Sequence, residues 1–164
     1  MSAAVKRAHS GVFTKERRLG VIVSSWHADL VGVCKDALYS ELKKLGENVT
    51  SNVTLVHVPG ALEFPLTAKL MAETGEYAAI AVIALVVDGG IYRHDFVAST
   101  VIDGISRVSV ETRVPILSAS LTPQHFHEHK VHHDFFKNHL VLKGQELAHA
   151  CVKIVKILDG IRNK

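Results

Sequence analysis

The sequence contains no stretch of about 18 uncharged apolar residues, the length that a membrane-spanning helix requires. Its apolar run 77–87 is too short and lies mid-chain. No membrane partner is expected. Cysteine is nearly missing as well. Cys34 and Cys151 stand about 117 residues apart and form no metal or redox spacing. Both fall on apolar positions of expected helices, where a free thiol behaves as a small hydrophobe. Buried thiols and a cytoplasmic location are the expectation. An excess of one charge sign is also lacking: 19 Lys and Arg against 16 Asp and Glu leave a formal charge of +3. The basic residues alternate with acidic ones instead of forming a stripe, so no nucleic-acid partner is expected.

What is present fits one domain. The chain has 164 residues, 48% of them hydrophobic, enough for a substantial single core. The first 18 residues are polar and basic, with Lys6, Arg7, Lys15, Arg17 and Arg18. They have neither the apolar core nor the small-residue cleavage site of a secretory signal. Residues 1–17 read as a flexible arm and 18–164 as the domain.

Four segments read as strands: 18–25, 50–58, 77–87 and 114–121. The third is almost continuously apolar, as a strand covered on both faces should be. Helical spacing alternates with them. Leu30, Val33, Cys34, Ala37, Leu38, Leu42 and Leu45 mark one helix, and Leu66, Leu70 and Met71 a second. Val97, Val101, Ile105 and Val108 mark a third, and Leu147, Cys151, Ile154, Val155 and Leu158 a fourth. The order β-α-β-α-β-α-β-α implies right-handed crossovers and an α/β fold with a four-stranded parallel sheet between helical layers.

In such sheets ligands bind outside the carboxyl ends of the strands. The segments leaving those ends are Ser24-Ser25-Trp26-His27, Pro59-Gly60-Ala61-Leu62-Glu63, Asp88 to Asp95, and Thr122-Pro123-Gln124-His125. Trp26, the only tryptophan, either stacks on a flat heterocycle or plugs the helix below it. Pro59 and Gly60 let backbone approach a ligand at a helix start, while Glu63 either serves that site or steadies the helix dipole. Asp88-Gly89-Gly90 allows a sharp turn that brings Arg93 and His94 back over the strand end. Arginine offers a charged planar fork for phosphate or carboxylate, and histidine titrates near neutrality. Six histidines lie in 125–139, at 125, 127, 129, 132, 133 and 139. His129 and His133 stand four apart, but the glutamate of a metalloprotease motif is missing between them, so no metal is expected. A partly protonated, anion-attracting surface fits that stretch better.

The run "VPGALEFPLTAKLMAETGEYAAI" resembles the Pro-Gly-Ala-x-Glu segment of the lumazine synthases of riboflavin biosynthesis. The likeness continues through "GGIYRHDFVASTVIDGISRVSVETRVPILSASLTP" and "KGQELAHA" and covers nearly all of the chain after residue 18. "DGGIYRHDFV", Trp26-His27-Ala28-Asp29 and "HHDFF" look like the divergent second form found in rhizobia and brucellae. The resemblance implies a transferase on a flavodoxin-like fold that condenses 5-amino-6-(D-ribitylamino)uracil with 3,4-dihydroxy-2-butanone 4-phosphate. It implies no cofactor or metal, and a homo-oligomer of pentamers, in this form a decamer, with each site between neighbouring subunits.

By position, the resemblance places Trp26 against the pyrimidine and Gly60, Ala61, Leu62 and Glu63 along the ribityl chain. Leu85, Val86 and Val87 match the strand end that holds the uracil, and Gly90 and Ile91 stand near the phosphate, where the usual form has Glu-Thr. Arg93 replaces a histidine that transfers protons, so the resemblance leaves that role to His94, or leaves Arg93 ordering the phosphate with slower catalysis. Ser118 stands where a neighbouring subunit usually contributes an aromatic contact. Lys130, His132 and His133 are the cations near the place of the family's phosphate arginine. A catalytically weak lumazine- or flavin-binding assembly protein on the same fold is the alternative reading.

Overall fold

The apolar run starting at Tyr77 forms a central strand of a four-stranded, all-parallel sheet. The computed structural model describes residues 11–88, 90, 93–123 and 130–164, with the backbone alone for 130–133. Its strands are β1 (Arg18–Ser24), β2 (Val53–Val58), β3 (Tyr77–Leu85) and β4 (Ile116–Leu121), in the spatial order β2-β1-β3-β4. The helices are α1 (Ala28–Lys44), the short α2 (Val49–Asn52), α3 (Phe64–Glu73), α4 (His94–Thr112) and α5 (Lys130–Arg162). A single 3₁₀ turn, Ala61–Glu63, leads into α3. This is the expected α/β three-layer fold.

Side chains alternate across a strand, so a strand covered on both faces needs apolar residues at every position. β3 meets that demand. Ala79, Ala81 and Ile83 join the core beneath α1 and α5, with Leu30, Leu38, Leu140 and Val155. Ile80, Val82 and Ala84 point to the other face, against Phe64, Ala68, Val101 and Ile105 of α3 and α4. Both thiols lie wholly buried in the first core, where burial pushes Cys34 and Cys151 up to about 12. Neither can serve as a thiolate near neutrality.

Several boundaries differ from expectation, among them β1, which ends at Ser24, and β4, which starts at Ile116. β2 starts at Val53, because the Asn48 side chain accepts the Ser51 N–H and caps a turn of helix over residues read as strand. β3 stops at Leu85. α5 starts at Lys130, far ahead of its first expected marker at Leu147. Residues 11–17, which fall within the expected arm, are also tied to the domain. Phe13 is 1% exposed, and its N–H and that of Val12 donate to the Glu47 carboxylate at 3.1 and 2.8 Å. Asn52 Nδ2 donates to the Phe13 carbonyl at 2.6 Å, and Arg17 pairs with Asp159 at 2.7 Å. Residues 11–17 thus belong to the packed domain, while 1–10 lie outside the described residues.

Candidate active site

Chain order reverses direction between β1 and β3, since β2 is added on one side of β1 and β3 on the other. The helices that follow β1 and β3 lie on opposite faces of the sheet, the arrangement at which parallel α/β sheets hold ligands in a crevice at the carboxyl edge. The loop leaving β1 is tied down first. Ser25 donates both its N–H and its hydroxyl to the Val58 carbonyl, at 2.9 and 3.0 Å, which joins the ends of β1 and β2. The buried Ser24 hydroxyl accepts the Trp26 N–H at 3.2 Å. His27 then takes a left-handed backbone, φ 53°, and its carbonyl accepts the N–H groups of Leu30 and Val31 to start α1.

Trp26 is 69% exposed. It is therefore no plug over the helix below; its ring stands in solvent beside the segment after β2. A Cβ added to Gly60 would lie 3.6 and 3.7 Å from Cδ1 and Nε1 of that indole. Gly60 is extended, with φ −149° and ψ −177°, and its N–H donates to Glu63 Oε2 at 2.8 Å. One Glu63 oxygen is thus engaged within its own turn. Ala61 is buried and Leu62 exposed.

At the end of β3, Leu85 is buried, and Val86 and Val87 are half-buried. The Val86 N–H donates to the Leu121 carbonyl at 2.8 Å, which ties the ends of β3 and β4 together. Gly90 sits at φ 75°, a left-handed conformation that favours glycine, and donates its N–H to Asp88 Oδ1 at 2.9 Å. Asp88 and Gly90 thus form the expected turn, and Ile91 lies outside the described residues. The chain returns at Arg93, which stands immediately before α4, and His94 is the first residue of that helix, partly exposed.

The Arg93 guanidinium is already engaged. It donates to Asp95 Oδ2 at 2.9 Å and lies 4.2 Å from the centroid of the Phe96 ring. The hydrogen bond from Arg93 holds the Asp95 carboxyl below its ordinary range. Neither Asp95 nor Phe96 was a sequence-level candidate. Their spacing, two and three residues past Arg93 at a helix start, is the signal that points to them.

Ser118 does not reach this rim. It lies mid-strand on the edge strand β4, opposite Val82, exposed, with its hydroxyl accepting the Ser120 N–H at 3.1 Å. Lys130, His132 and His133 fall in the first turn of α5, which follows β4 and so starts at the same edge of the sheet; their side chains lie outside the described residues. His129 is outside as well. The carboxyl edge thus carries an exposed ring beside a close-approach backbone segment after β1 and β2, and after β3 a cation held by Asp95 just before a helix that opens on His94.

The family described as 6,7-dimethyl-8-ribityllumazine synthase matches residues 16–159. A 6,7-dimethyl-8-ribityllumazine synthase of Rhodococcus erythropolis is 47% identical over 145 residues, 88% of this chain and 93% of the relative. A 6,7-dimethyl-8-ribityllumazine synthase 2 of Bradyrhizobium diazoefficiens is 43% identical over 152 residues, 93% and 90% of the two chains. Another synthase 2, from Pseudomonas syringae pv. tomato, is 43% identical over 145 residues, 88% and 85% of the two chains.

Proposed function

The chain belongs to the 6,7-dimethyl-8-ribityllumazine synthase family, and on that premise we propose that it condenses 5-amino-6-(D-ribitylamino)uracil with 3,4-dihydroxy-2-butanone 4-phosphate. The products are 6,7-dimethyl-8-ribityllumazine, phosphate and water. The observation that carries this reading is the exposed Trp26 indole against the Gly60 backbone, beside the β1/β3 crevice. A flat heterocycle can stack there while its ribityl chain runs along residues 60–63.

The uracil amine attacks the ketone, an imine forms with loss of one water, phosphate departs, and the ribityl-bearing nitrogen closes the ring with loss of a second water. This sequence needs no strong protein nucleophile. Two well-oriented reactants can reach effective molarities of about 10⁵ M or more, so positioning supplies much of the acceleration. Leu85, Val86 and Val87 form the wall at the end of β3. An arginine guanidinium stays charged, so Arg93 cannot act as an ordinary base near neutrality. It attracts the phosphate, with Lys130, His132 and His133 across the rim, while His94 moves protons. The protein works in the cytoplasm as a homo-oligomer built of pentamers, a decamer in this form.

The rival reading, a catalytically weak lumazine- or flavin-binding protein, draws on one observation: Arg93 is held by Asp95 and Phe96 where the family has a proton-transferring histidine. One assay separates the two. Lumazine formation is followed by its visible absorbance with both substrates and corrected for the spontaneous reaction. Saturable acceleration supports the synthase, whereas tight binding of the uracil without acceleration supports the binding protein.

A further inference from the structure

Glu63 stands out because its carboxylate faces its own backbone. Oε2 accepts the Gly60 N–H at 2.8 Å, across one 3₁₀ turn. Gly60 in turn stands beside the indole: a Cβ there would meet Glu63 Oε2 at 3.3 Å and Trp26 Cδ1 at 3.6 Å. Its extended backbone is open to any residue, and an added Cβ would press only on the Glu63 carboxylate while touching the indole at ordinary contact distance. Trp26 is otherwise held at its main chain, through Ser24, and Ser25 ties that loop to the end of β2. Carboxylate, glycine peptide and indole thus form one contiguous stack.

We infer that Glu63 is a positioning residue: by holding the Gly60 N–H it fixes the peptide that backs Trp26, so the surface for the heterocycle is formed before substrate arrives. The charge of Glu63 matters less in this role than its reach. A carboxylate accepting a backbone N–H makes a charge-assisted bond, but a neutral carbonyl of equal length can take the same N–H. Removing the acceptor frees the Gly60 peptide, and binding must then order it again, which lowers affinity. The inference rests on the proposed stacking of the uracil on Trp26, although its effect on the free protein does not.

Two substitutions separate reach from charge. Glu63→Gln keeps the length and loses the charge; Glu63→Asp keeps the charge but is one methylene too short. Because Trp26 is the only tryptophan, its fluorescence anisotropy and emission report the loop directly. In ligand-free protein, E63D is expected to give lower Trp26 anisotropy and shifted emission, with E63Q close to the parent. Titrated with 6,7-dimethyl-8-ribityllumazine, E63Q should bind about tenfold more tightly than E63D, which corresponds to about 1.4 kcal/mol. The same order should hold for KM of the uracil, with kcat less affected. Equal emission and anisotropy in both variants, or an E63Q that binds no better than E63D, overturns the inference and assigns Glu63 to direct contact or to no role. A parent protein that binds neither lumazine nor uracil refutes the stacking reading alone, because the ligand-free fluorescence still tests the clamp.

Discussion

Replacing Gly144 with alanine should destabilise the protein, although alanine is the better helix former. Gly144 lies buried in α5 where that helix packs along α1. An added Cβ would lie 2.3 Å from the Cys34 carbonyl oxygen, 2.8 Å from Ala37 Cβ and 2.9 Å from the Leu38 nitrogen. Two of those three atoms are backbone, so no rotamer change relieves the clash and the helices must separate. Overpacking costs about 1–3 kcal/mol, here at the upper end, and alanine's helix propensity offsets about 1 kcal/mol. The net loss is about 2 kcal/mol, equivalent to a fall in Tm of about 4–8 °C for a chain of this size. Gly32, within α1, is the internal control, because nothing lies within 4 Å of its added Cβ. Gly32→Ala should instead gain about 0.5–1 kcal/mol. The assay is thermal and urea unfolding of both variants at matched protomer concentration, since assembly shifts Tm by mass action. A Gly144→Ala variant as stable as its Gly32→Ala counterpart would refute the close α1–α5 approach.

Glu47→Ala removes the acceptor for the Val12 and Phe13 N–H groups and should cost about 2–3 kcal/mol. Faster tryptic cleavage after Lys15 and Arg17 checks it. His94→Ala should lower turnover by about tenfold to a thousandfold, at or below the usual general acid–base range; unchanged turnover removes His94 from proton transfer. The hydrogen bond from Arg17 depresses the Asp159 carboxyl, so this pair stabilises the fold above the unfolded carboxyl pKa of about 3.9 and ceases to do so as pH falls through the lower folded value. Asp159→Asn should therefore lower the unfolding midpoint slightly at neutral pH and match the parent at about pH 2; a difference that grows on acidification contradicts the sign.

The elements most legible in the sequence are those whose signal comes from burial. β3 reads as a strand between two layers because both of its faces meet helices, and α1 because Leu30, Cys34, Leu38 and Leu42 all face one core. The first turns of α5 escape notice for the converse reason. Phe135 is exposed there, and no core-facing apolar repeat marks a helix until Leu140, Leu147 and Cys151 are buried. Thr50, Ser51 and Asn52 read as strand because they lead into the run Val53–Val58, yet the side-chain cap from Asn48 winds them into a turn of helix. Phe13 is a local surprise because its partners, Glu47 and Asn52, lie far along the chain.

The same division runs through the candidate site. Which segments share the rim follows from strand order, since parallel strands place all their carboxyl ends together, and the sequence order suffices to name Trp26, Gly60 and Arg93 as neighbours of one edge. Which groups remain available there depends on turn geometry that no periodicity encodes. The Val86 N–H is committed to Leu121, one Glu63 oxygen to Gly60 and the Arg93 guanidinium to Asp95. On the proposed reading, a phosphate arriving at Arg93 meets a cation that is oriented but shared, and the exposed pair with Asp95 is weak. Breaking it costs little beside what a dianion can recover from a bidentate guanidinium, so on that reading Asp95 and Phe96 steady Arg93 without barring a phosphate from it.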